Sequence, residues 1–150
     1  GELFEALSIL GAKELLHVLK NLPECMANAK PQDHTKATYA QKVTKEMGHI
    51  DWEQEASVID ALIRGMYPSP GTYTYFHGKR IKIHAAFYEN SDTAAIPKGT
   101  VVSLKDGNIG VAATHGIIYL TMVQPENHKR MKTIDFINGY QVKTNDCFEY

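Results

Sequence analysis

The side chains with chemistry to offer are mainly basic. Lys79, Arg80 and Lys82 surround an expected turn at His77-Gly78-Lys79. His128-Lys129-Arg130-Met131-Lys132 forms the tightest cluster, and Lys42 and Lys45 fall in a polar stretch. Ammonium point charges and guanidinium forks on exposed backbone are what phosphate recognition requires. Residues 71–132 hold eight bases against four acids, a net of +4, while the rest of the chain sums to −5. A total charge of −1 therefore conceals a region able to steer a polyanion. A solvated basic face is the other reading of the same charges.

Other chemistries find little support. There is no GxGxxG, phosphate-loop, HExxH or CxxC pattern. The seven histidines are scattered; His77 and His84 could approach one another across a hairpin, but no third ligand is evident. Ser57, Ser69, Ser91 and Ser103 lack a nucleophile-elbow context. Asp51 reads as a helix cap and Trp52, the only tryptophan, as a packing anchor between linker and barrel. Cys25 and Cys147 have no metal-type spacing and read as free thiols in a reducing compartment. Few exposed aromatics are expected, so any RNA would be held through phosphates more than bases.

These residues need elements to place them. Phe4, Leu7, Gly11, Leu15, Val18 and Leu22 recur at helical spacing, predicting a helix over 2–22 that Pro23 ends. Leu3, Ile9, Leu10, Leu16 and Leu19 widen its apolar stripe, so it should be covered on most sides. The stretch 27–50 reads as an extended linker. Asp51 and Gln54 form a capping-box-like pair before a second helix that buries Ala56, Ile59, Ile63 and Met66. From residue 72 the period changes to two. Strands are expected at 72–76, 80–88, 100–104, 109–113 and 117–123, joined by tight turns. In the second of these, Ile81, Ile83, Ala85 and Phe87 should face one way and Lys82, His84 and Tyr88 the other. Thr133 should cap a last short helix closed by Gly139.

A chain of 150 residues with 43% apolar and 22% charged residues is ordinary globular material. It can build one core without staples, and it has no apolar run long enough to span a membrane. The opening Gly1-Glu2-Leu3-Phe4-Glu5 has neither an initiator Met nor a basic leader, and reads as a piece excised from a longer protein. Five short strands with tight turns indicate a small antiparallel barrel in an α+β chain.

Three blocks carry a family resemblance. Residues 37–46 with Ile50-Asp51-Trp52 are similar to the linker of methionyl-tRNA formyltransferases. The segment 62–74, containing Tyr67-Pro68-Ser69-Pro70-Gly71, resembles the opening of their C-terminal domain, although that family usually carries Asn and Trp where this chain has Tyr67 and Ser69. Residues 123–131 with Asp135-Phe136-Ile137-Asn138-Gly139 resemble their closing block. The resemblance implies an oligonucleotide-binding-type barrel at 46–150, a linker at 29–45, and at 1–28 the last helix of a truncated α/β formyltransferase domain. It also implies a parent enzyme of the cytoplasm, or of an organelle matrix, that acts as a monomer. That enzyme moves a formyl group from 10-formyltetrahydrofolate to the amino group of initiator methionyl-tRNA. The catalytic residues and the folate site would belong to the preceding domain. Lys42, Lys45, Lys79, Arg80, Lys82, Lys129, Arg130 and Lys132 are the expected RNA contacts, with no metal and no membrane involved. The alternatives are the equivalent part of a 10-formyltetrahydrofolate dehydrogenase or sugar-nucleotide formyltransferase, or a stand-alone barrel module.

Overall fold

Pro23 does more than end a helix. In the computed structural model, which describes residues 1–149, the chain forms two compact units, Gly1–Lys42 and Val43–Tyr150. The first holds helices α1 (Glu2–Lys20) and α2 (Leu22–Ala27). Asn21 joins them, its Nδ2 donating to the His17 carbonyl at 3.0 Å. Pro23 sits in the first turn of α2, where its missing N–H leaves no intrahelical bond unmade. It therefore opens a second helix. No residue of α1 is buried, and Leu3, Phe4 and Ile9 are 72%, 81% and 68% exposed. Beyond α2 the unit is mostly extended, apart from a 3-10 turn at His34–Lys36 capped by the Asp33 carboxylate.

The second unit is built on seven antiparallel strands: β1 (Thr72–Phe76), β2 (Lys79–Asn90), β3 (Val101–Ser103), β4 (Ile109–Ala113), β5 (Gly116–Pro125), β6 (Met131–Lys132) and β7 (Phe148–Glu149). They run in the order β3-β4-β5-β2-β1-β7, with β6 added to β5. The two ends of this path meet: Thr100 bridges Cys147, Val101 N–H donates to the Asp146 carbonyl, and Phe148 N–H donates to that of Gly99. The sheet curls until its edges are tied, which removes the open strand edges that invite aggregation. Helices α3 (Ala56–Met66) and α4 (Thr133–Tyr140) flank it, giving the expected α+β barrel.

Local chemistry explains the hairpins. His77 and Gly78 both have positive φ, 49° and 71°, as a two-residue turn of the right twist requires. Along β1, Thr72, Thr74 and Phe76 turn inward and Tyr73 and Tyr75 outward. Phe76, Phe136 and Phe148 meet at ring separations of 5.7 and 4.9 Å around Phe76. Ile59, Ile81, Val111, Ile118, Leu120 and Val123 complete the core. Trp52 is 3% exposed, and its Nε1 donates to Thr74 Oγ1 at 3.1 Å.

Several local expectations give way to tertiary ones. Asp51 does not cap a helix: its carboxylate accepts from Glu53 N–H and Gln54 Nε2, closing a turn, and α3 begins five residues later. Ala56, Ile59 and Ile63 are buried as expected, and Met66 is half-buried. In β2 the alternation breaks between Ile83 and Ala86, where the pairing with β5 shifts register twice. Ala86 then packs on the core, while Ala85 and Phe87 are exposed. Thr133 is buried; its hydroxyl serves the carbonyls of Gly107 and Leu120 rather than a helix end. Gly139 lies inside α4, which ends at Gln141 in the left-handed region. Met131-Lys132, the end of the basic cluster, forms a short strand, β6.

The two units differ in cover, and their amides should show it. In the 150-residue chain, hydrogen exchange over Leu7–Leu19 is expected to be fast, because a lone helix of this length is marginal in water. Exchange over β4 and β5 should approach the limit set by global unfolding. Slow exchange at α1 in a dilute monomer would show that the helix finds cover in solution.

Candidate nucleic-acid interface

The outward side chains of β1, β2 and β5 form the frame on which the basic residues stand. Register places Tyr73 opposite Lys82, Lys82 opposite Gln124, and Met122 opposite Lys132. Continuing the β5–β6 register brings Arg130 alongside Gln124. A row of Tyr73, Lys82, Gln124 and Arg130 thus joins two stretches, 73–82 and 124–130, that lie far apart in sequence. His84 joins it through a 2.9 Å hydrogen bond between its Nε2 and Gln124 Oε1. Gln124 Nε2 in turn donates to the His128 carbonyl at 2.8 Å, fixing the loop that carries Lys129.

Two arginines are held by aromatic rings. The Arg80 guanidinium lies 3.9 Å over the Tyr73 ring, which stacks on His49 at 4.8 Å. Arg80 Nε is buried without a hydrogen-bond partner, so this side chain is packed into the wall. Arg130 is exposed, 5.7 Å from the Tyr67 ring centre, with Nη1 donating to Tyr67 Oη at 3.4 Å. Arg80 and Lys82 line a concavity of about 210 Å³ with Gln124, Pro125, Glu126 and Asn127. Lys132 lines a wider groove of about 620 Å³ with residues including Asn108, Met122 and Ile134.

The electrostatics favour an anion. Ion pairs join Lys36 to Asp33 and Arg64 to Asp60. Among the described residues, none of the eight basic residues singled out from the sequence has a carboxylate within 4.0 Å. Arg80, Lys82, Arg130 and Lys132 come together on this face. Lys79 stands exposed at the start of β2, Lys129 in the loop before β6, and Lys45 just before the 3-10 turn Glu46–Gly48 that delivers His49. Lys42 belongs to the first unit. His77 and His84 do not pair as imagined: His77 stacks on Phe76, and His84 binds Gln124. The described residues contain no group of three or more His, Cys, Asp or Glu side chains able to hold a metal, and Cys25 and Cys147 are free thiols.

Sequence reasoning missed Tyr67, Tyr73 and Gln124 as members of this face, although alternation had placed His84 on the side of Lys82. The two-residue turn at His77-Gly78 fixes which residues of β1 and β2 oppose, so Tyr73 beside Lys82 could have been read from it. It also underestimated the aromatics. Tyr39, Tyr67, Phe87 and Tyr88 are 89%, 40%, 42% and 39% exposed, and Phe87 stacks on Tyr119 at 5.0 Å.

Comparison with known proteins places the domain in a family. Residues 42–141 match the family described as "Formyl transferase, C-terminal domain". The chain belongs to that family. All eight basic residues lie inside the matched segment, whereas α1 and α2 lie outside it. Relatives named methionyl-tRNA formyltransferase include those of Dictyoglomus turgidum, 39% identical over 99% of this chain, and Syntrophus aciditrophicus, 40% identical over 96%. The Bacillus subtilis protein of the same name is 36% identical over 97% of the chain. The chain spans just under half of each relative's length, 48%, 46% and 46%. Among solved structures, a multiply substituted variant of HypX from Aquifex aeolicus superposes with a TM-score of 0.58 at 17% identity, covering 88% of this chain and 23% of that one. HypX in complex with tetrahydrofolic acid gives 0.56 at 17% identity, covering 91% of this chain and 26% of that one. Both likenesses support the formyl transferase C-terminal fold. Among the described residues no helix is long and apolar enough to cross a membrane.

Proposed function

We propose that this chain is the C-terminal, tRNA-holding part of a cytoplasmic methionyl-tRNA formyltransferase. In this reading residues 1–28 end the formyltransferase domain, 29–45 link, and 46–150 form the barrel. The parent takes 10-formyltetrahydrofolate as co-substrate and formylates the amino group of initiator methionyl-tRNA. The observation that carries the reading is the group of Lys82, Arg130 and Lys132, unpaired with carboxylates among the described residues, on one face of the family's domain. The relatives' shared name supports the substrate. No reacting group is assigned to this chain. Its part is to bind the body of the tRNA, so that interactions remote from the reacting amine position it.

Two measurements test this. Binding of initiator tRNA to the 150-residue chain should weaken as salt rises, because each neutralised phosphate releases counterions. With four to eight contacts, log K against log salt should slope at about −4 to −7; a slope shallower than about −1 would reject a phosphate-reading face. The same chain, supplied with formyl donor and charged tRNA, is expected to show no turnover above blank. Turnover would place catalytic groups within these residues and overturn the division of labour.

A further inference from the structure

Gln124 cannot be turned round. Its Nε2 donates to the His128 carbonyl, so its Oε1 must be the atom that faces His84 and accepts. His84 Nε2 therefore carries a hydrogen, and in the neutral ring Nδ1 keeps the lone pair. The bond to Gln124 engages Nε2 alone, which leaves Nδ1 for another partner. Lys82 lies two residues away on the same outward side of β2, and Arg130 flanks Gln124 from the other side.

We propose that His84 Nδ1, the Lys82 ammonium and the Arg130 guanidinium form one phosphate subsite, with Gln124 as the positioning residue. A phosphate seated there draws a proton from solvent onto Nδ1, which becomes an N–H donor to it; no other bond forms or breaks. Without an anion the neutral ring is the favoured form. Burial holds the His84 imidazole below its ordinary value against the Gln124 hydrogen bond, and the charges of Arg130 and Lys82 lower it further. An anion between those cations reverses the balance. The surrounding groups leave this role to His84. On α3, which packs on β2, Asp60 and Arg64 are paired to each other at 2.9 Å. β1 offers Tyr73 and Tyr75, β5 offers Gln124, and the one carboxylate lining the adjoining concavity is Glu126. The RNA-bound form of the subsite holds the extra proton, so affinity rises as pH falls.

The identity of the anion rests on the tRNA-holding reading; the subsite itself does not. The experiment follows the His84 ring nitrogens by NMR across a pH titration of the 150-residue chain, alone, with tRNA, and with inorganic phosphate, against a chloride control. With tRNA the His84 midpoint should rise, and tRNA should bind about threefold to tenfold more tightly at about pH 5.5 than at about pH 8. His84→Gln should bind at the high-pH strength throughout, and circular dichroism checks that it folds. If phosphate alone raises the midpoint while tRNA does not bind, the subsite stands and the RNA reading falls. If tRNA binds and the midpoint does not move, or if His84→Gln keeps the full pH dependence, the subsite is overturned. No response to either anion overturns it as well.

Discussion

Reversing Lys82, Arg130 and Lys132 together to glutamate is expected to abolish most tRNA binding by this chain. These three side chains stand on β2, just before β6, and on β6, with β5 between them, so a backbone that meets one can meet all. Losing three phosphate contacts should flatten the salt slope by about three and weaken binding by about a hundredfold or more at low salt, because the new carboxylates also repel. The fold should tolerate the change, since Lys82, Arg130 and Lys132 are all exposed and none is in an ion pair. Circular dichroism will check that. Control reversal of Lys13 and Lys20, on α1, should do much less. A triple variant that binds with an unchanged slope would show these charges to be a solvated face.

Truncating Phe76 to alanine is expected to cost about 3–5 kcal/mol, a large part of the roughly 5–15 kcal/mol that holds a domain folded. Phe76 is 1% exposed and joins three parts of the unit: β1, α4 through Phe136, and β7 through Phe148. Rigid neighbours on three sides cannot collapse into the space, so most of the cavity term is felt. Phe87→Ala is the matching control. That ring is 42% exposed and gains chiefly its stacking on Tyr119, so its loss should cost about 1 kcal/mol. Denaturant titration of both variants decides the matter. Equal, small losses would mean that the aromatic cluster is not the centre of the core.

The features legible before folding were local ones. The hairpin at His77-Gly78 was legible because only residues tolerant of positive φ make that turn, and alternation in β1 followed from its period of two. The apolar face of α3 and the family's three blocks were legible for the same reason: their signal lies in neighbouring residues. The basic residues were found as well, though as separate clusters. Tertiary structure decided the rest. Lys82, Gln124 and Arg130 become neighbours only when β2, β5 and β6 pair, and no local pattern records which strands will meet. The bulge near His84 re-aims β2 because a long strand paired with β5 in a curled sheet must shift register. Asp51 and Thr133 carried good capping chemistry, yet one closed a turn and the other was buried as the first residue of α4. A hydroxyl or carboxylate takes the partner that folding delivers, and burial makes a satisfied carbonyl worth more than a helix cap left in water.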